Sequence, residues 1–380
     1  MPPVKGGSIE LHTYHLANEL GKLGNEVHYV TSVNPQAPFQ EGLVLHKIPW
    51  MPFNFHGNYL ETLSGFAVGG FLTFLKAVNA INRYRYDIIH VHGHIPAFCL
   101  LPLRKRSTFV FTVHNPNPWM VVSSSQIKQV FRQLTFKSVE LRIIRDSDCV
   151  ITVGEGLRNE LINRFKIRSG KVQVIPNGVD TDFFRPGIAG AEVVLRKYNL
   201  PKDYALFVGR LVEQKSVHYL LEAVKGTRIH VVIVGEGPLL SYLKRVCDQI
   251  EIAEQVHFVG AVPLDDLRKI YSRAKLFVLP SVAEGFPGGL VGLEAMASGL
   301  PIIASRITGI GKVVNERRNG FLFDVGDVEE LRRRIVELFS DESLAARMGE
   351  YSRKIAEDQF SWFSVAERTL KLYETLLKND

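Results

Sequence analysis

The amino-acid sequence predicts an α/β protein built from two Rossmann-like, doubly wound domains that face each other across a cleft. Short runs rich in β-branched residues recur along the chain, helical stretches separate them, and the series starts again after Pro186. The length of 380 residues also favours two domains over one. Ligands of such sheets bind beyond the carboxyl ends of the strands, so the cleft is the expected site.

The first predicted domain covers residues 1–185 and opens with a helix. Apolar or neutral residues recur there at helical spacing, and Gly24-Asn25 supplies a stop. Five runs then predict buried parallel strands, at 27–31, 87–92, 108–113, 149–153 and 172–175. A doubly wound domain normally begins with a central strand, yet only five residues precede Gly6-Gly7. The first strand is therefore expected to be missing, either because the chain is truncated at its start or because a different element fills that place.

The second predicted domain covers residues 186–358. Its strands are expected at 205–209, 230–235, 256–260, 276–280 and 301–305. Residues 359–380 form a last helix, capped by Ser361 and carrying one apolar stripe that includes Leu370 and Tyr373. This stripe must be buried, and we expect it to pack back on the N-terminal domain.

Composition excludes several functional classes. The three cysteines show no metal-like spacing and suggest no disulfide framework. The apolar run Gly65–Leu75 is about half of what a bilayer-spanning helix requires, and no signal peptide is recognised, so we predict a cytoplasmic protein. The net charge of +7 suits an anionic small molecule or an anionic surface, whereas no nucleic-acid motif appears.

The segment 281–305 predicts a ligand-binding turn between a strand and a helix. Pro280 ends the strand, a Gly-rich turn follows, and the helix begins near Gly289. A helix start presents free amide groups and a positive dipole end, which suits a diphosphate. Glu284 before the turn and Glu294 within the helix could each accept hydrogen bonds from hydroxyl groups. Either glutamate alone could equally be an ordinary surface or capping carboxylate, but together with the glycines they describe a site for a nucleotide sugar.

Residues 281–305 resemble the E-x7-E segment of the family 4 glycosyltransferases, which are retaining enzymes with the GT-B fold. The similarity extends to other motifs in the family's order. These are the opening "KGGSIELHTYHLANEL", the inner strands "DIIHVHGH" and "FTVHN", the connection "VIPNGVDTDFF", the strand and helix "FVGRLVEQKSVHYLLEA" and the last helix "FSWFSVAERTLKLYE". Together they cover most of the chain.

The resemblance assigns roles to particular residues. It implies that Arg210 and Lys215 pair with the donor diphosphate, where a guanidinium and an ammonium would stabilise the charge growing on the leaving phosphate. It places Glu284 at the donor sugar, Glu294 at the nucleotide ribose, and His114 beside the sugar and the reacting centre. The remaining donor-binding or acceptor-side positions that it implies are Gly6, Gly7, Gly285, Phe286, Gly288, Gly289 and Leu290.

Other motifs have competing interpretations. His114 could be a core histidine bonded to the backbone, and His92 and His94 are weaker candidates. A metal site from these three histidines is a further alternative, but the resemblance implies no metal. The runs "VGEGPLL" and "VGEGLRN" lack the third glycine of a dinucleotide fingerprint. Asp180-Thr181-Asp182 fits turn and helix capping better than metal binding, and Asp265-Asp266 are expected to cap a helix.

The sequence departs from the family pattern at several positions. The two glutamates lie ten positions apart instead of eight, because Pro287-Gly288 are inserted between them. Ser216 stands where a glycine commonly follows the lysine, and Lys312 lies where the family more often carries Pro-Glu. The insertion changes the loop that carries Glu284 but leaves Glu294 in register with its helix, so an altered donor preference is expected.

The function expected from the resemblance is retaining transfer of a hexose from UDP- or GDP-hexose to a glycan or lipid-linked acceptor, without cofactor or metal. No residue makes an obvious nucleophile, so the leaving phosphate would accept the acceptor proton. The alternatives are a catalytically silent nucleotide-sugar-binding subunit and a GT-B epimerase or phosphorylase. The basic, apolar segment 125–145 could contact the inner face of the membrane, or be a buried helix with snorkelling cations.

Overall fold

The computed structural model describes residues 8–31, 43–47, 75–93, 97–98, 100–114, 138–282 and 290–378. The chain divides into two compact units, the N-terminal unit of Pro2–Asn177 with Val365–Asp380 and the C-terminal unit of Gly178–Ser364. The first division therefore falls at Gly178, several residues before the predicted boundary at 186. The second falls inside the last helix instead of before it.

The N-terminal unit contains parallel strands in two separate groups. Strands β1 (Val27–Thr31) and β2 (Leu43–Lys47) pair with each other, and a four-stranded sheet has the order β3-β4-β5-β6. Those four strands are Ile88–His92, Thr108–Val113, Cys149–Thr152 and Val172–Val174. Among the described residues, no strand joins the first pair to this sheet, and residues 1–7 lie outside them.

The helices described in the N-terminal unit flank these strands. They are α1 (Ser8–Lys22), α2 (75–83), α3 (138–146) and α4 (Glu155–Asn163). Helix α1 forms where the sequence predicts it, and it buries Tyr14, Leu16, Ala17 and Leu20.

The C-terminal unit is a doubly wound domain with one six-stranded parallel sheet. Its strands are β7 (Ala205–Val208), β8 (Val231–Val234), β9 (Val256–Gly260), β10 (Leu276–Leu279), β11 (Ile302–Ser305) and β12 (Gly320–Phe323). Their order in the sheet is β12-β11-β10-β7-β8-β9. The strand order therefore reverses between β7 and β10, which is where a doubly wound sheet opens a crevice for ligands.

Helices connect the strands of this sheet. They are α5 (Ala191–Lys197), α6 (Val217–Val224), α7 (Leu240–Gln249), α8 (Leu264–Tyr271), α9 (Leu290–Ala297), α10 (Val328–Ser340), α11 (Glu342–Ile355) and α12 (Trp362–Leu377). Every residue of β7, β8, β10 and β11 is buried. Burial on both faces explains why these strands are continuous apolar runs without alternation.

The last helix begins as predicted. The Ser364 backbone N–H donates to Ser361 Oγ at 3.2 Å, which makes Ser361 the cap. From Val365 onward the helix belongs to the N-terminal unit, where the Tyr373 hydroxyl lies 2.5 Å from His90 Nδ1. Among the described residues, no helix is both long enough and apolar enough to cross a membrane.

The ten predicted strands all form, each within two residues of its expected bounds. Strands β2 and β12 were missed. The prediction that Asp265-Asp266 cap a helix is wrong, because α8 begins before them at Leu264. Asp265 instead accepts hydrogen bonds from Arg268 and Lys269, and Asp266 accepts from Lys197 and Tyr198.

Candidate functional site

The carboxyl end of β7 carries the two predicted cations. Arg210 lies two residues after the end of the strand and is exposed, whereas Lys215 is partly buried at the end of the 3₁₀ turn Glu213–Lys215. The turn is closed by the Lys215 N–H donating to Val212 O at 3.0 Å and the Ser216 N–H donating to Glu213 O at 2.9 Å. Helix α6 then starts at Val217. Both cations therefore lie between the end of β7 and the start of a helix, at the point where the strand order reverses.

The loop after β8 packs directly against the loop after β7. A Cβ added to Gly235 would lie 2.0 Å from Gly209 O, and one added to Gly237 would lie 2.3 Å from Leu211 O. Gly235 also has a φ of +133°, which side chains rarely adopt. The Leu211 N–H donates to Glu236 O at 2.9 Å. The G-x-G of "VGEGPLL", set aside above as an incomplete dinucleotide fingerprint, thus serves to hold the backbone next to Arg210.

The loop after β10 starts beside the turn that holds Lys215. The Val282 N–H donates to Gln214 O at 2.9 Å, and Ser305 Oγ donates to Ser281 O. These bonds anchor residues 281 and 282 to the loop after β7 and to the end of β11. Glu284, Gly285, Phe286, Gly288 and Gly289 lie outside the described residues, as does the Pro287-Gly288 insertion. The described part of helix α9 begins at the partly buried Leu290, and the predicted start near Gly289 lies outside the described residues.

Glu294 lies in the second turn of α9 and has a buried partner. The Tyr271 hydroxyl lies 3.1 Å from both Glu294 Oε2 and Val291 O, and it donates to this pair of acceptors. Burial raises the pKa of Glu294 to about 7, even though the hydrogen bond from Tyr271 favours the ionised form. Burial therefore favours the protonated carboxyl group, and Tyr271 fixes one of its oxygens.

Four histidines converge in the N-terminal unit near the carboxyl ends of β3 and β4. His90 and His92 lie on the same face of β3, because side chains alternate along a strand. His114 follows β4 and is 9% exposed, and His12 comes from α1 and is 5% exposed. His92 Nδ1 lies 2.9 Å from His114 Nε2, and the His12 and His114 ring centres are 4.6 Å apart.

Polar neighbours orient this cluster. His12 Nδ1 lies 3.1 Å from Asn177 Oδ1, so His12 donates from Nδ1. His90 Nε2 lies 2.6 Å from Thr112 Oγ1, while its Nδ1 meets Tyr373. Each ring thus occupies a fixed orientation against the sheet.

Three of these imidazoles, those of His12, His90 and His92, are neutral at physiological pH. Burial lowers the pKa of His12 to about 4 and the pKa of His90 to about 3, and it lowers the pKa of His92 well below its usual range. Neighbouring histidines add a smaller repulsion in the same direction. A neutral imidazole offers one donor and one acceptor, which suits uncharged hydroxyl groups.

Comparison with known proteins identifies the chain. The model of Glycosyltransferase Family 4 matches residues 6–183, and that of Glycosyl transferases group 1 matches residues 195–355. The chain belongs to the family 4 glycosyltransferases. It is 27% identical to an uncharacterized glycosyltransferase of Methanocaldococcus jannaschii, over 99% of this chain and 96% of that one.

Solved structures show the same GT-B fold. Sucrose-phosphate synthase of Thermosynechococcus elongatus superposes with a TM-score of 0.76 at 23% identity, covering 99% of this chain and 95% of that one. Anabaena HepE in complex with UDP-glucose gives a TM-score of 0.70 at 18% identity, covering 98% and 97%.

Within this glycosyltransferase, the predicted site residues fall into three groups. Arg210, Lys215, Leu290 and Glu294 lie in the C-terminal unit, and His92 and His114 lie in the N-terminal unit. Gly6, Gly7, His94, the residues from Glu284 to Gly289 and the basic residues Lys128, Arg132 and Lys137 of the candidate membrane segment fall outside the described residues. The turn interpretation of Asp180-Thr181-Asp182 is confirmed, because Asp180 Oδ1 accepts from the N–H groups of Asp182 and Phe183.

Sequence reasoning missed four residues of the glycosyltransferase's candidate sites: His12, His90, Tyr271 and Asn177. His90 carried a signal, because it lies two residues before His92 on the same face of a predicted strand. His12 carried a signal, since it lies three residues after Ile9 and four before Leu16 on the buried stripe of α1. Tyr271 and Asn177 carried none, because their partners Glu294 and His12 are 23 and 165 residues away.

Proposed function

We propose that the chain is a retaining glycosyltransferase that moves a hexose from a nucleotide diphosphate sugar to a glycan or lipid-linked acceptor. The observation that carries this proposal is the position of Arg210 and Lys215 at the point in the C-terminal sheet where the strand order reverses. No cofactor or metal ion takes part in the proposed transfer.

The diphosphate binds next to the two cations. A guanidinium can bind phosphate oxygens with two parallel hydrogen bonds, and an ammonium adds a compact charge. Gly235 and Gly237 support this proposal, because they hold the loop after β7 in place by backbone contacts. The start of α9 supplies further amide donors.

Glu294 binds the ribose of the donor. Its carboxylate can accept from two neighbouring hydroxyl groups, and the hydrogen bond from Tyr271 holds it in one orientation. The proposed donor is a UDP- or GDP-hexose, and UDP-glucose, which is bound to HepE, is the first to test.

Transfer proceeds on one face of the sugar. The acceptor hydroxyl attacks the anomeric carbon as the bond to the diphosphate breaks, and a leaving phosphate oxygen takes the acceptor proton. Arg210 and Lys215 stabilise the charge that grows on that phosphate. In the N-terminal unit, His114 binds the sugar by hydrogen bonding, and Gly6-Gly7 add the proposed backbone contacts. Glu284 of the C-terminal unit completes the proposed contacts with the sugar.

One experiment distinguishes the proposed transferase from two rival functions, an epimerase and a phosphorylase, by their products. The enzyme is screened for protection against thermal unfolding by UDP- and GDP-hexoses, and the protecting donor, carrying an isotopic label, is then incubated with glycan and lipid-linked acceptors. We expect a labelled product whose anomeric configuration, measured by NMR, matches that of the donor.

An inverted product would contradict the retaining mechanism. A labelled nucleotide sugar of altered configuration would identify an epimerase. In a parallel incubation that also contains inorganic phosphate, a labelled sugar phosphate would identify a phosphorylase. Binding without turnover across the acceptor panel would instead identify a silent binding subunit. A His114→Ala variant should retain donor-induced protection while losing most of the transfer rate.

A further inference from the structure

We propose that His12, His92 and His114 form a binding site for one late first-row divalent metal ion, with Zn²⁺ as the expected occupant. This inference goes beyond the proposed function, which needs no metal.

The three imidazoles lie close together, and a small shift of the His12 side chain would bring them to the spacing that such an ion requires. Each offers one ring nitrogen, and these atoms all lie within 4.8 Å of one another. Tetrahedral zinc with Zn–N bonds of about 2.0–2.1 Å places its nitrogen ligands roughly 3.3 Å apart. His92 Nδ1 and His114 Nε2 lie 2.9 Å apart, so this pair opens slightly while His12 closes in.

Metal binding replaces a hydrogen bond within this cluster without net loss of a proton. The proton shared by His92 Nδ1 and His114 Nε2 moves to the other nitrogen of the ring that carries it. Both lone pairs are then available to the ion. Three histidines leave a fourth position open for water or an oxygen of a bound ligand, as in sites that are not purely structural.

His12 is oriented like a metal ligand. Its Nδ1 donates to Asn177 Oδ1 at 3.1 Å, which makes Nε2 the nitrogen with the lone pair. Ligating histidines almost always donate their other N–H to an oxygen in this way, and loss of that partner weakens metal binding about 10- to 100-fold. Asn177 is itself 9% exposed and therefore held in place.

The site joins three separate elements of the N-terminal unit, since the ligands come from α1, the end of β3 and the end of β4. Two other histidine pairs serve as internal comparisons. His28 Nδ1 lies 2.9 Å from His46 Nε2, and His230 Nδ1 lies 3.2 Å from His257 Nε2. Within the described part of the chain, neither pair gains a third ligand of the required geometry.

The experiment uses the full-length protein after treatment with EDTA. Isothermal titration with Zn²⁺ measures stoichiometry and affinity, and titration with Co²⁺ gives a visible absorption band that reports imidazole ligation. We expect one ion per chain, and a melting temperature that rises with Zn²⁺ concentration because the ion binds the folded state. His12→Gln and His92→Gln should each weaken binding at least tenfold, whereas His230→Gln should leave it unchanged.

A second pair of variants distinguishes loss of metal binding from loss of folding. Asn177→Ala keeps all three ligands and should weaken Zn²⁺ binding about 10- to 100-fold, while Asn177→Asp keeps an acceptor for His12 and should bind at least as tightly as the wild type. Circular dichroism of the metal-free proteins confirms that each is folded. The proposal is overturned if the folded wild type binds no Zn²⁺, or if the His12 and His92 variants bind it with wild-type affinity.

Discussion

The carboxyl ends of the strands carry opposite kinds of polar chemistry in the two units. In the C-terminal unit they present the exposed Arg210, the partly buried Lys215 and a carboxyl group that titrates near neutrality. In the N-terminal unit they present buried imidazoles that stay neutral. Charged groups lose much free energy on burial, whereas neutral groups need only hydrogen-bond partners. Related architectures can therefore serve a diphosphate in one unit and uncharged hydroxyl groups in the other.

The largest effect is expected when the charge at β7 is removed. Arg210→Ala and Lys215→Ala should each reduce kcat/KM for the donor by about 10²- to 10³-fold, because each removes a group that is proposed to stabilise the leaving phosphate. Steady-state kinetics with the protecting donor measures this. Arg245→Ala, at an exposed cation on α7, should be neutral. If both Arg210→Ala and Lys215→Ala had wild-type kinetics, the claim that charged groups of the C-terminal unit bind the donor would be contradicted.

Substitution of Gly235, whose backbone packs against the loop that carries Arg210, should have the next largest effect. Gly235→Ala places a Cβ 2.0 Å from Gly209 O at a φ of +133°, so the two loops must separate. We expect a loss of about 3 kcal/mol in the free energy of unfolding together with weaker donor binding. Chemical denaturation measures the first quantity.

Gly170→Ala is the matched control, because its Cβ would meet nothing within 4 Å. Equal stability of the Gly235→Ala and Gly170→Ala variants would show that the loops are not packed as described.

Glu294 provides a pH test that separates stability from binding. Its pKa is about 7 in the folded protein against an ordinary 4.5, so the folded state holds a proton that the unfolded state releases. The free energy of unfolding should therefore fall as pH rises from 4.5 to 7, by up to about 3 kcal/mol. Glu294→Gln cannot ionise, so its stability relative to the wild type should increase as pH rises across this window. Its affinity for the donor should be lower than that of the wild type.

Denaturation at several pH values measures the change in stability, and titration with the donor measures the change in affinity. The exposed Glu350 supplies the control, since Glu350→Gln should change neither. Parallel pH profiles for the wild type and Glu294→Gln would contradict the assignment.

The smallest effect concerns the neutral cluster. Tyr373→Phe removes the hydroxyl that meets His90 Nδ1 at 2.5 Å, and leaving a buried polar atom unpaired costs about 1–2 kcal/mol. Thermal denaturation should show this loss, whereas Tyr242→Phe, at a 45% exposed side chain, should be silent. A silent Tyr373→Phe would mean that this hydrogen bond contributes nothing to the docking of α12.

The strands were predictable because burial on both faces forces continuous apolar runs, as in "LFVL" and "IIAS". Strand β2 (LVLHK) ends on two polar residues, and β12 starts with Gly320, so neither showed the pattern. The strand order, which locates the candidate site, depends on tertiary pairing that no local pattern contains.

The site residues, like the strands, were predictable where a local pattern marks them and not where they depend on tertiary contacts. Arg210 and Lys215 were predictable because they lie in the loop between a predicted strand and the next helix and match a family motif. The partners Tyr271 and Asn177 were not, because the chain must fold before they meet Glu294 and His12.

The central claim is that Arg210 and Lys215 bind the diphosphate of the donor. Its most direct test is a cycle of calorimetric affinities that compares each nucleoside diphosphate, UDP or GDP, with its nucleoside, in the wild type and in the double variant Arg210→Ala/Lys215→Ala. We predict that the diphosphate strengthens binding at least 100-fold in the wild type, and that this gain largely disappears in the double variant. An equal gain in both proteins would contradict the claim.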